Sequence, residues 1–307
     1  MKIVFLGTPD FAVPSLQALI NSRHEILAVV TQPDKERDRK QVTPTPVKVE
    51  ALKNNIKVLE FNKIRIEGVE ELKKLNPDIM VTCAYGQIIS QEILDIPKYG
   101  VINVHGSLLP KYRGSAPIQW AVIKGEKETG ITIMQTALGV DSGDIILQEK
   151  VDINKGETAG ELFDRLAKIA PNVLLKAIDQ IENGTATFTK QDESKVIHLP
   201  MLKKEDGIIN WNENALDIVN KILGMNPWPS AYTKLNDKMF KIHKAEVLDM
   251  EVFNKKPGEV FLLDKKNAAV MCGDKAIKLI EIQLEGKKKM PIDSFLVGFN
   301  IDGVVLG

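Results

Sequence analysis

Cysteine is scarce in this chain, and its charges cancel. Of the 307 residues only Cys83 and Cys272 are cysteines, and they lie far apart in separate apolar runs. This spacing offers no ligand set for zinc or an iron–sulfur cluster, and a disulfide is not expected. The 41 lysine and arginine residues balance 41 aspartate and glutamate residues. A polybasic nucleic-acid module is therefore excluded, and any contact with a polyanion must come from local clusters.

Long apolar runs are also missing. No stretch approaches the roughly 20 apolar residues of a membrane span. The strand-like run at 2–6 carries no cleavage site, so no signal peptide is expected. A content of 44% hydrophobic and 27% charged residues is typical of globular cytosolic proteins. The length fits one large or two ordinary domains, and we expect a cytoplasmic protein with no membrane contact.

The first half of the chain alternates apolar runs of strand length with amphipathic stretches. Valine- and isoleucine-rich runs, which predict buried parallel strands, lie at 2–6, 26–30, 78–83 and 101–105. Helical patterns lie at 11–20, 47–54, 67–75 and 117–123. Two further apolar runs, 131–135 and 145–151, precede a long helix that begins at Thr158, with Glu161 as its capping-box partner. This rhythm predicts an α/β fold with a doubly wound, mostly parallel sheet.

The pattern changes after the long helix. Residues 186–199 are polar and rich in lysine, as a linker would be. Beyond them, a helix at 214–222 precedes short strand candidates at 231–235, 238–247, 258–263, 268–271 and 276–283. Short strands at this spacing predict a small barrel or sandwich. We therefore predict an α/β domain at 1–188, a linker at 189–206 and a mostly β domain at 207–307.

The first strand-to-helix turn has too little glycine to bind a dinucleotide. That fingerprint needs three glycines, so that the backbone can approach a pyrophosphate. Only Gly7 is present here, and Pro9 removes a backbone N–H. This turn is predicted to be structural.

The stretch from Asn103 to Gly114 is the most informative. Asn103 and His105 are two apart in a predicted strand, so their side chains share a face near its carboxyl end. Open α/β sheets place their ligands at that edge. An asparagine amide can donate to a developing oxyanion, and a histidine can move a proton near neutral pH.

A carboxylate lies nearby in the turn Asp141-Ser-Gly-Asp144. The turn chemistry alone would accept these residues. Either aspartate could orient His105, stabilise its protonated form or hold an incoming amine. Ser107 and Ser115 are weak candidates for a nucleophile, so the set suits direct attack of a substrate amine on an activated acyl group.

These residues belong to segments that resemble the methionyl-tRNA formyltransferase family, a branch of the folate-dependent formyltransferases. The matching segments are GTPDFAVPSLQAL (7–19), TQPD (31–34), PTPVKVEA (44–51), AYGQIIS (84–90), INVHGSLLPKYRGSAPIQWA (102–121), ETGITIMQ (128–135), DSGDI (141–145) and NPWPSAYT (226–233). The N-x-H-x-S-L-L-P element followed by a D-[ST]-G-D turn is specific to folate-dependent formyl transfer. Segment 7–51 and the NPWP element narrow the match to the branch that acts on tRNA.

The resemblance implies a function and roles for individual residues. The expected reaction transfers a formyl group from 10-formyltetrahydrofolate to the α-amine of methionyl initiator tRNA, without a metal and in a monomer. Asn103, His105 and Asp141 match the catalytic trio. The folate-binding segment corresponds to Ser107, Leu108, Leu109 and Pro110. The second domain is expected to be an OB-like barrel, a fold suited to nucleic-acid contact.

Contact with tRNA is expected at local basic clusters. The clusters are residues 35–40, the lysines at 234, 238, 241 and 244, and residues 287–289. Segment 34–43 corresponds to the family's acceptor-stem loop, but its residues 35–41 contain two acids and no glycine, so Arg37 or Arg39, with Lys40, would supply the charge. Trp228 could stack on a base, although the strong tendency of tryptophan to pack makes a buried position the expectation.

Two alternatives stay open at this stage. The same catalytic domain could formylate a small-molecule amine or hydrolyse formyltetrahydrofolate. A non-catalytic RNA-binding protein on the same scaffold is the other alternative, and the intact Asn103, His105 and Asp141 set argues against it.

Overall fold

The computed structural model describes residues 1–37, 41–252 and 254–307, with the backbone alone at 35–37 and 41–42. These residues form two compact units, neither of which is one continuous stretch. The first comprises Met1–Gly114, Thr129–Val151 and Phe163–His198, and the second comprises Ser115–Glu128, Asp152–Leu162 and Leu199–Gly307. The predicted boundaries at 188 and 206 stay a prediction.

The strands and helices are as follows. The strands are β1 Lys2–Gly7, β2 Glu25–Thr31, β3 Lys35–Arg37, β4 Gln41–Thr43, β5 Val58–Glu60, β6 Ile79–Cys83, β7 Val101–His105, β8 Arg113–Gly114, β9 Glu128–Gln135, β10 Ile145–Asp152, β11 His198–Leu199, β12 Ala231–Leu235, β13 Lys238–Val247, β14 Val260–Leu262, β15 Ala268–Met271, β16 Ala276–Leu284 and β17 Met290–Pro291. The α-helices are α1 Val13–Ile20, α2 Pro46–Lys53, α3 Ile64–Glu67, α4 Val69–Leu75, α5 Gln91–Leu94, α6 Pro117–Ile123, α7 Ala159–Glu182, α8 Ala215–Gly224 and α9 Ile292–Leu296.

The first unit is built on a seven-stranded sheet of order β10-β9-β7-β6-β1-β2-β5. The pairs β1–β2, β1–β6, β6–β7 and β2–β5 are parallel. Side chains of the central strand β1, such as Phe5 and Leu6, are completely buried, as expected for a strand covered on both faces. The predicted doubly wound, mostly parallel sheet is confirmed, and β9 is its antiparallel exception, paired with β7.

The predicted capping box at the start of α7 is present. The Thr158 N–H donates to Oε2 of Glu161 at 2.8 Å, and the Glu161 N–H donates to the Thr158 hydroxyl at 3.2 Å. Two backbone donors that the helix itself leaves unpaired are thereby satisfied. The helix extends to Glu182, three residues past the end near Asp179 that the sequence predicts.

The second unit contains an antiparallel sheet of order β12-β13-β16-β15-β14, with β17 paired to β16. Helix α8 packs against β13. The last residues of the chain bond to both edge strands: the Val304 carbonyl accepts from the Val260 N–H of β14 at 2.8 Å, and the Gly307 N–H donates to the Lys234 carbonyl of β12 at 3.2 Å. These bonds join the end of the chain to both edges of an antiparallel sheet, an arrangement consistent with the OB-like domain that the resemblance implies.

The expectation that Trp228 is buried is wrong, because its side chain is 52% exposed. Its turn is held by other groups: the Ser230 N–H donates to the Met225 carbonyl at 2.8 Å, and the Asn226 amide donates to the His243 carbonyl at 2.7 Å. The ring is therefore not needed for packing. The tryptophan buried in this unit is Trp211, whose indole N–H donates to the Thr233 hydroxyl at 3.2 Å.

Two further expectations concern the thiols and the membrane. Cys83 and Cys272 are both buried, and neither forms a disulfide. Among the described residues, no helix combines the length and the apolar character that crossing a bilayer requires.

Candidate active site

Asn103 and His105 lie on β7, between β6 and β9 and near the carboxyl end of the strand. Being two residues apart, they share one face of the sheet, as predicted. His105 is only 6% exposed, and Asn103 is half-buried. A polar pair at this depth needs hydrogen-bond partners, and each side chain has one.

The partner of Asn103 is Thr82, on the neighbouring strand β6. The Thr82 hydroxyl donates to Oδ1 of Asn103 at 2.7 Å. Because Oδ1 is occupied as an acceptor, the amide Nδ2 is turned away from Thr82 and keeps both N–H groups for another acceptor. Asn103 is thereby prepared as a donor of the kind that stabilises an oxyanion.

His105 is held by the backbone of the loop that follows β7. Its Nε2 lies 2.9 Å from the Tyr112 carbonyl oxygen, deep in the unit. A carbonyl can only accept, so Nε2 carries the proton in the neutral ring and Nδ1 bears the lone pair. The proton-accepting atom of this histidine is therefore Nδ1.

Asp141, rather than Asp144, is the carboxylate beside His105. Its Oδ2 lies 3.7 Å from Nδ1 of His105 and accepts the Gly114 N–H at 2.8 Å. Its backbone is left-handed, with φ of +48°. Two residues later, a Cβ at Gly143 would overlap the carbonyl oxygen of Gln135, so the turn needs glycine there. Of the two aspartates that the turn pattern left open, the structure places Asp141 next to His105.

The segment predicted to bind folate forms a braced loop after β7. Ser107 is completely buried, and its hydroxyl donates to the Lys111 carbonyl at 2.9 Å. The Thr132 hydroxyl donates to the Ser107 carbonyl at 2.6 Å, and the Gln148 amide donates to the Leu109 carbonyl at 2.9 Å. Leu109 is buried as well, which leaves the half-buried Leu108 and Pro110 as the side chains of this segment that a ligand can reach.

Around the Asp141 turn, three residues contribute that the sequence did not reveal. The Arg113 guanidinium, 3% exposed, donates through Nε to Oε1 of Gln191 at 2.9 Å and pairs with Glu193 at 2.7 Å. The amide of Gln191 in turn donates to the Asp141 carbonyl at 2.8 Å. The Arg113 guanidinium holds the pKa of the Glu193 carboxyl below its usual range. Of these three residues, only Arg113 lies in a segment that the sequence analysis singled out, and nothing in the sequence was a reason to assign it a role.

The residues predicted to contact tRNA are placed only in part. The backbone of Arg37 ends β3, which pairs with β4 in an antiparallel hairpin. Arg39 and Lys40 lie outside the described residues.

One cluster among the described residues has the composition of a metal site. It comprises His24, Asp179 and Glu182, with ligand atoms within 4.8 Å of one another. The Arg23 guanidinium already pairs with Asp179 at 2.7 Å and with Glu182 at 2.5 Å. These ion pairs account for the cluster without a metal.

The site combines an amide donor, a ring nitrogen with a free lone pair and a carboxylate. The hydroxyl of Ser107 is engaged with a backbone carbonyl, so it is poorly placed to act as a nucleophile. The arrangement suits attack by an amine of the substrate itself on an acyl carbon, with Asn103 facing the oxyanion.

Comparison with known proteins points the same way. The family model described as formyl transferase matches residues 1–178, and the formyl transferase C-terminal domain matches residues 201–300. The chain is 45% identical over 310 residues to the methionyl-tRNA formyltransferase of Acetivibrio thermocellus, covering 100% of both chains. It is 46% identical to the enzyme of that name from Agathobacter rectalis, covering 98% of each.

Solved structures match the fold. An N-formyltransferase from Helicobacter canadensis, in complex with folinic acid and dTDP-3-aminofucose, is 22% identical with a TM-score of 0.71, over 91% of this chain and 98% of that one. HypX from Aquifex aeolicus, in complex with tetrahydrofolic acid, is 20% identical with a TM-score of 0.63, over 96% of this chain and 47% of that one.

Proposed function

Because the chain belongs to the formyl transferase family, we propose that it moves a formyl group from 10-formyltetrahydrofolate to the α-amine of methionyl initiator tRNA, the step that prepares this tRNA for translation initiation. The observation that carries the acceptor is the identity of 43–46% to curated methionyl-tRNA formyltransferases over at least 98% of this chain. The site geometry supports the chemistry.

The proposed reaction needs no covalent enzyme intermediate. The methionyl α-amine attacks the formyl carbon on N10 of the folate, and the carbonyl electrons move to the oxygen. Nδ2 of Asn103 donates to that oxyanion, and Nδ1 of His105 accepts a proton from the attacking amine. Collapse of the tetrahedral intermediate breaks the bond to N10, which takes up the proton held by His105, so tetrahydrofolate leaves and His105 is neutral again.

Asp141 is proposed to act through charge. Its Oδ2 is 3.7 Å from Nδ1 of His105, a distance at which a carboxylate stabilises an imidazolium without already sharing its proton. The same carboxylate is positioned to attract the incoming amine. Replacement of Asn103, His105 or Asp141 should lower kcat by about 10²-fold or more.

The folate is proposed to lie against the loop of Ser107, Leu108, Leu109 and Pro110. Leu108 and Pro110 offer apolar contact area, whereas Ser107 and Leu109 serve mainly through the backbone shape that they hold. A loop braced at two carbonyls is already ordered before the ligand arrives, so little entropy is lost on binding.

The tRNA is proposed to contact segment 34–43 through Arg37, Arg39 and Lys40. A phosphate backbone attracts local positive charge even when the whole protein is neutral, and the attraction weakens as salt rises. We further propose that the protein acts as a monomer in the cytoplasm, with catalytic residues within 1–188 and tRNA contacts also within 207–307.

The experiment that tests this function compares acceptors. Purified protein is given 10-formyltetrahydrofolate with methionyl initiator tRNA, methionyl elongator tRNA or free methionine, at low and at physiological salt. We expect strong preference for the initiator tRNA and slower transfer at higher salt. The charge-reversed variant Arg37→Glu should lose tRNA formylation while folate affinity is unchanged.

Two outcomes would point elsewhere. Folate consumption with no formylated tRNA would move the assignment to a hydrolase or to a transferase for a small amine, which should be indifferent to Arg37→Glu. Binding of tRNA without any folate turnover would favour the non-catalytic RNA-binding protein.

A further inference from the structure

We propose that Arg113 and Gln191 are positioning residues that hold Asp141 in place for the transfer step, and we call the pair the Arg113–Gln191 clamp. This inference rests on the proposed function, because its test measures formyl transfer. It assigns a role in the active site to a segment that the sequence predicts to be a linker.

The clamp grips the turn of Asp141 at two backbone atoms. Nε2 of Gln191 donates to the Asp141 carbonyl at 2.8 Å and to the Gly143 carbonyl at 2.7 Å. The two N–H groups of one amide therefore hold two backbone carbonyls of the turn that carries the carboxylate. A single methylene change in the length of this side chain would break both bonds.

Arg113 determines which way the Gln191 amide faces. Nε of Arg113 donates to Oε1 of Gln191 at 2.9 Å, so the opposite side of the amide, Nε2, must face Asp141. The guanidinium is buried, and Glu193 neutralises it through two bonds, of 3.2 and 2.7 Å. A buried cation without such a partner would be costly.

The carboxylate of Asp141 is held by the residue that follows Arg113. Residue 114, directly after Arg113, donates its N–H to Oδ2 of Asp141 at 2.8 Å. Arg113 itself is fixed by its own backbone, because its N–H donates to the Ile197 carbonyl at 2.9 Å. One residue pair, Arg113-Gly114, thus orients both the backbone and the side chain of Asp141.

The 3.7 Å between Asp141 and His105 depends on this arrangement. Asp141 occupies a left-handed conformation, which a residue other than glycine adopts only when its surroundings hold it there. Releasing the turn would let the carboxylate move away from Nδ1 of His105. A misplacement of about 1 Å that arises far from the chemistry can cost about 10²-fold in rate.

The test compares three single variants in single-turnover formylation. Gln191→Ala removes the clamp, and Gln191→Glu keeps its size and its bond from Arg113 but replaces the donor nitrogen by an oxygen that two carbonyls repel. Asp192→Ala is the matched control in the same segment: it removes the acceptor for the Ser194 N–H at 3.1 Å and touches neither Arg113 nor Asp141. The folate affinity and the melting temperature are measured for each variant.

We expect both Gln191 variants to lower the transfer rate by about 10- to 100-fold, with folate affinity unchanged within about threefold and the control within about twofold of wild type. Arg113→Lys should lower the transfer rate by a similar factor. The double variant Arg113→Lys, Gln191→Ala should lower the rate no more than the more damaging single variant does, because the two residues act as one unit. A merely structural role would instead lower the melting temperature and the folate affinity together with the transfer rate.

The inference is overturned if Gln191→Glu transfers formyl at the wild-type rate, or if the loss in every variant follows its melting temperature alone. Folate turnover is recorded alongside formylation of the tRNA. If the wild-type protein consumes folate but does not formylate tRNA, the proposed acceptor fails, and the clamp is still judged from folate turnover in the same variants.

Discussion

The hydroxyl of Thr82 donates to Oδ1 of Asn103 at 2.7 Å, across the pair of strands β6 and β7. This bond leaves the Asn103 amide nitrogen facing the site. A donor that is already oriented costs no reorganisation when charge develops on the reacting oxygen. In the proposed mechanism Thr82 is therefore a positioning residue for Asn103.

Thr82→Val should lower kcat by about 10-fold, because valine keeps the shape but removes the donor that fixes the Asn103 amide. Thr82→Ser should retain nearly full activity. Steady-state kinetics of both variants check the prediction. Equal rates for valine and serine at this position would contradict it.

Asp141 and Asp144 should respond differently to the same substitution. Asp141→Asn removes the charge 3.7 Å from Nδ1 of His105 and should lower kcat by about 10²-fold. Asp144 contributes its backbone carbonyl to the Gln135 N–H, a bond that Asp144→Asn leaves intact, so this variant should stay within about threefold of wild type. Parallel assays of the two variants decide which carboxylate acts, and a larger loss in the Asp144 variant would exchange their roles.

The two thiols should resist alkylation in the folded protein. Burial raises the pKa of Cys83 to about 12, and burial together with the nearby Asp274 raises the pKa of Cys272 to about 12. At pH 8 only about one thiol in 10⁴ is then ionised, and the thiolate is the reactive form. Titration with a thiol reagent should detect both cysteines after denaturation and neither before it. Prompt reaction of either thiol in the native protein would contradict this assignment.

The protein should lose stability as the pH falls below about 6.5, and His243 should contribute to the loss. Burial lowers the pKa of His243 from its usual 6.5. The unfolded chain therefore takes up a proton on this group before the folded protein does, so the free energy of unfolding decreases below that pH. The variant His243→Gln should show a flatter dependence of its melting temperature between pH 7 and 5. The exposed His198→Gln is the matched control, and identical slopes for both variants would refute the assignment.

Much of the fold could be predicted because apolar runs reveal buried strands. The strands β1, β2, β6 and β7 lie within one or two residues of their predicted positions. The hairpin of β3 and β4 was missed, since its sequence is charged and offers no apolar alternation. The antiparallel sense of β9 was missed for a different reason: an apolar run does not encode its direction.

The candidate site also contains residues that the sequence reveals and residues that it does not. Asn103 and His105 could be paired from the period of a strand, and the turn at 141–144 offered two aspartates, of which the family resemblance indicated Asp141. Gln191 could not be found, because it acts through hydrogen bonds to backbone carbonyls, which any sequence provides. A polar segment rich in lysine resembles a linker until its partners are known.

Trp228 shows the limit of residue preference. Tryptophan favours burial in general, yet this side chain is 52% exposed, in a turn that backbone and asparagine hydrogen bonds hold. The buried tryptophan of the same unit, Trp211, carried no comparable signal in the sequence.

The most direct test of the account is the rate of the transfer step in variants of the two strand residues. Asn103→Ala and His105→Ala are compared with wild type in a rapid-quench assay with 10-formyltetrahydrofolate and methionyl initiator tRNA, and folate binding is measured separately. We predict that the transfer rate falls by about 10²-fold or more in each variant and that folate affinity is retained. Transfer at the wild-type rate in either variant would contradict it.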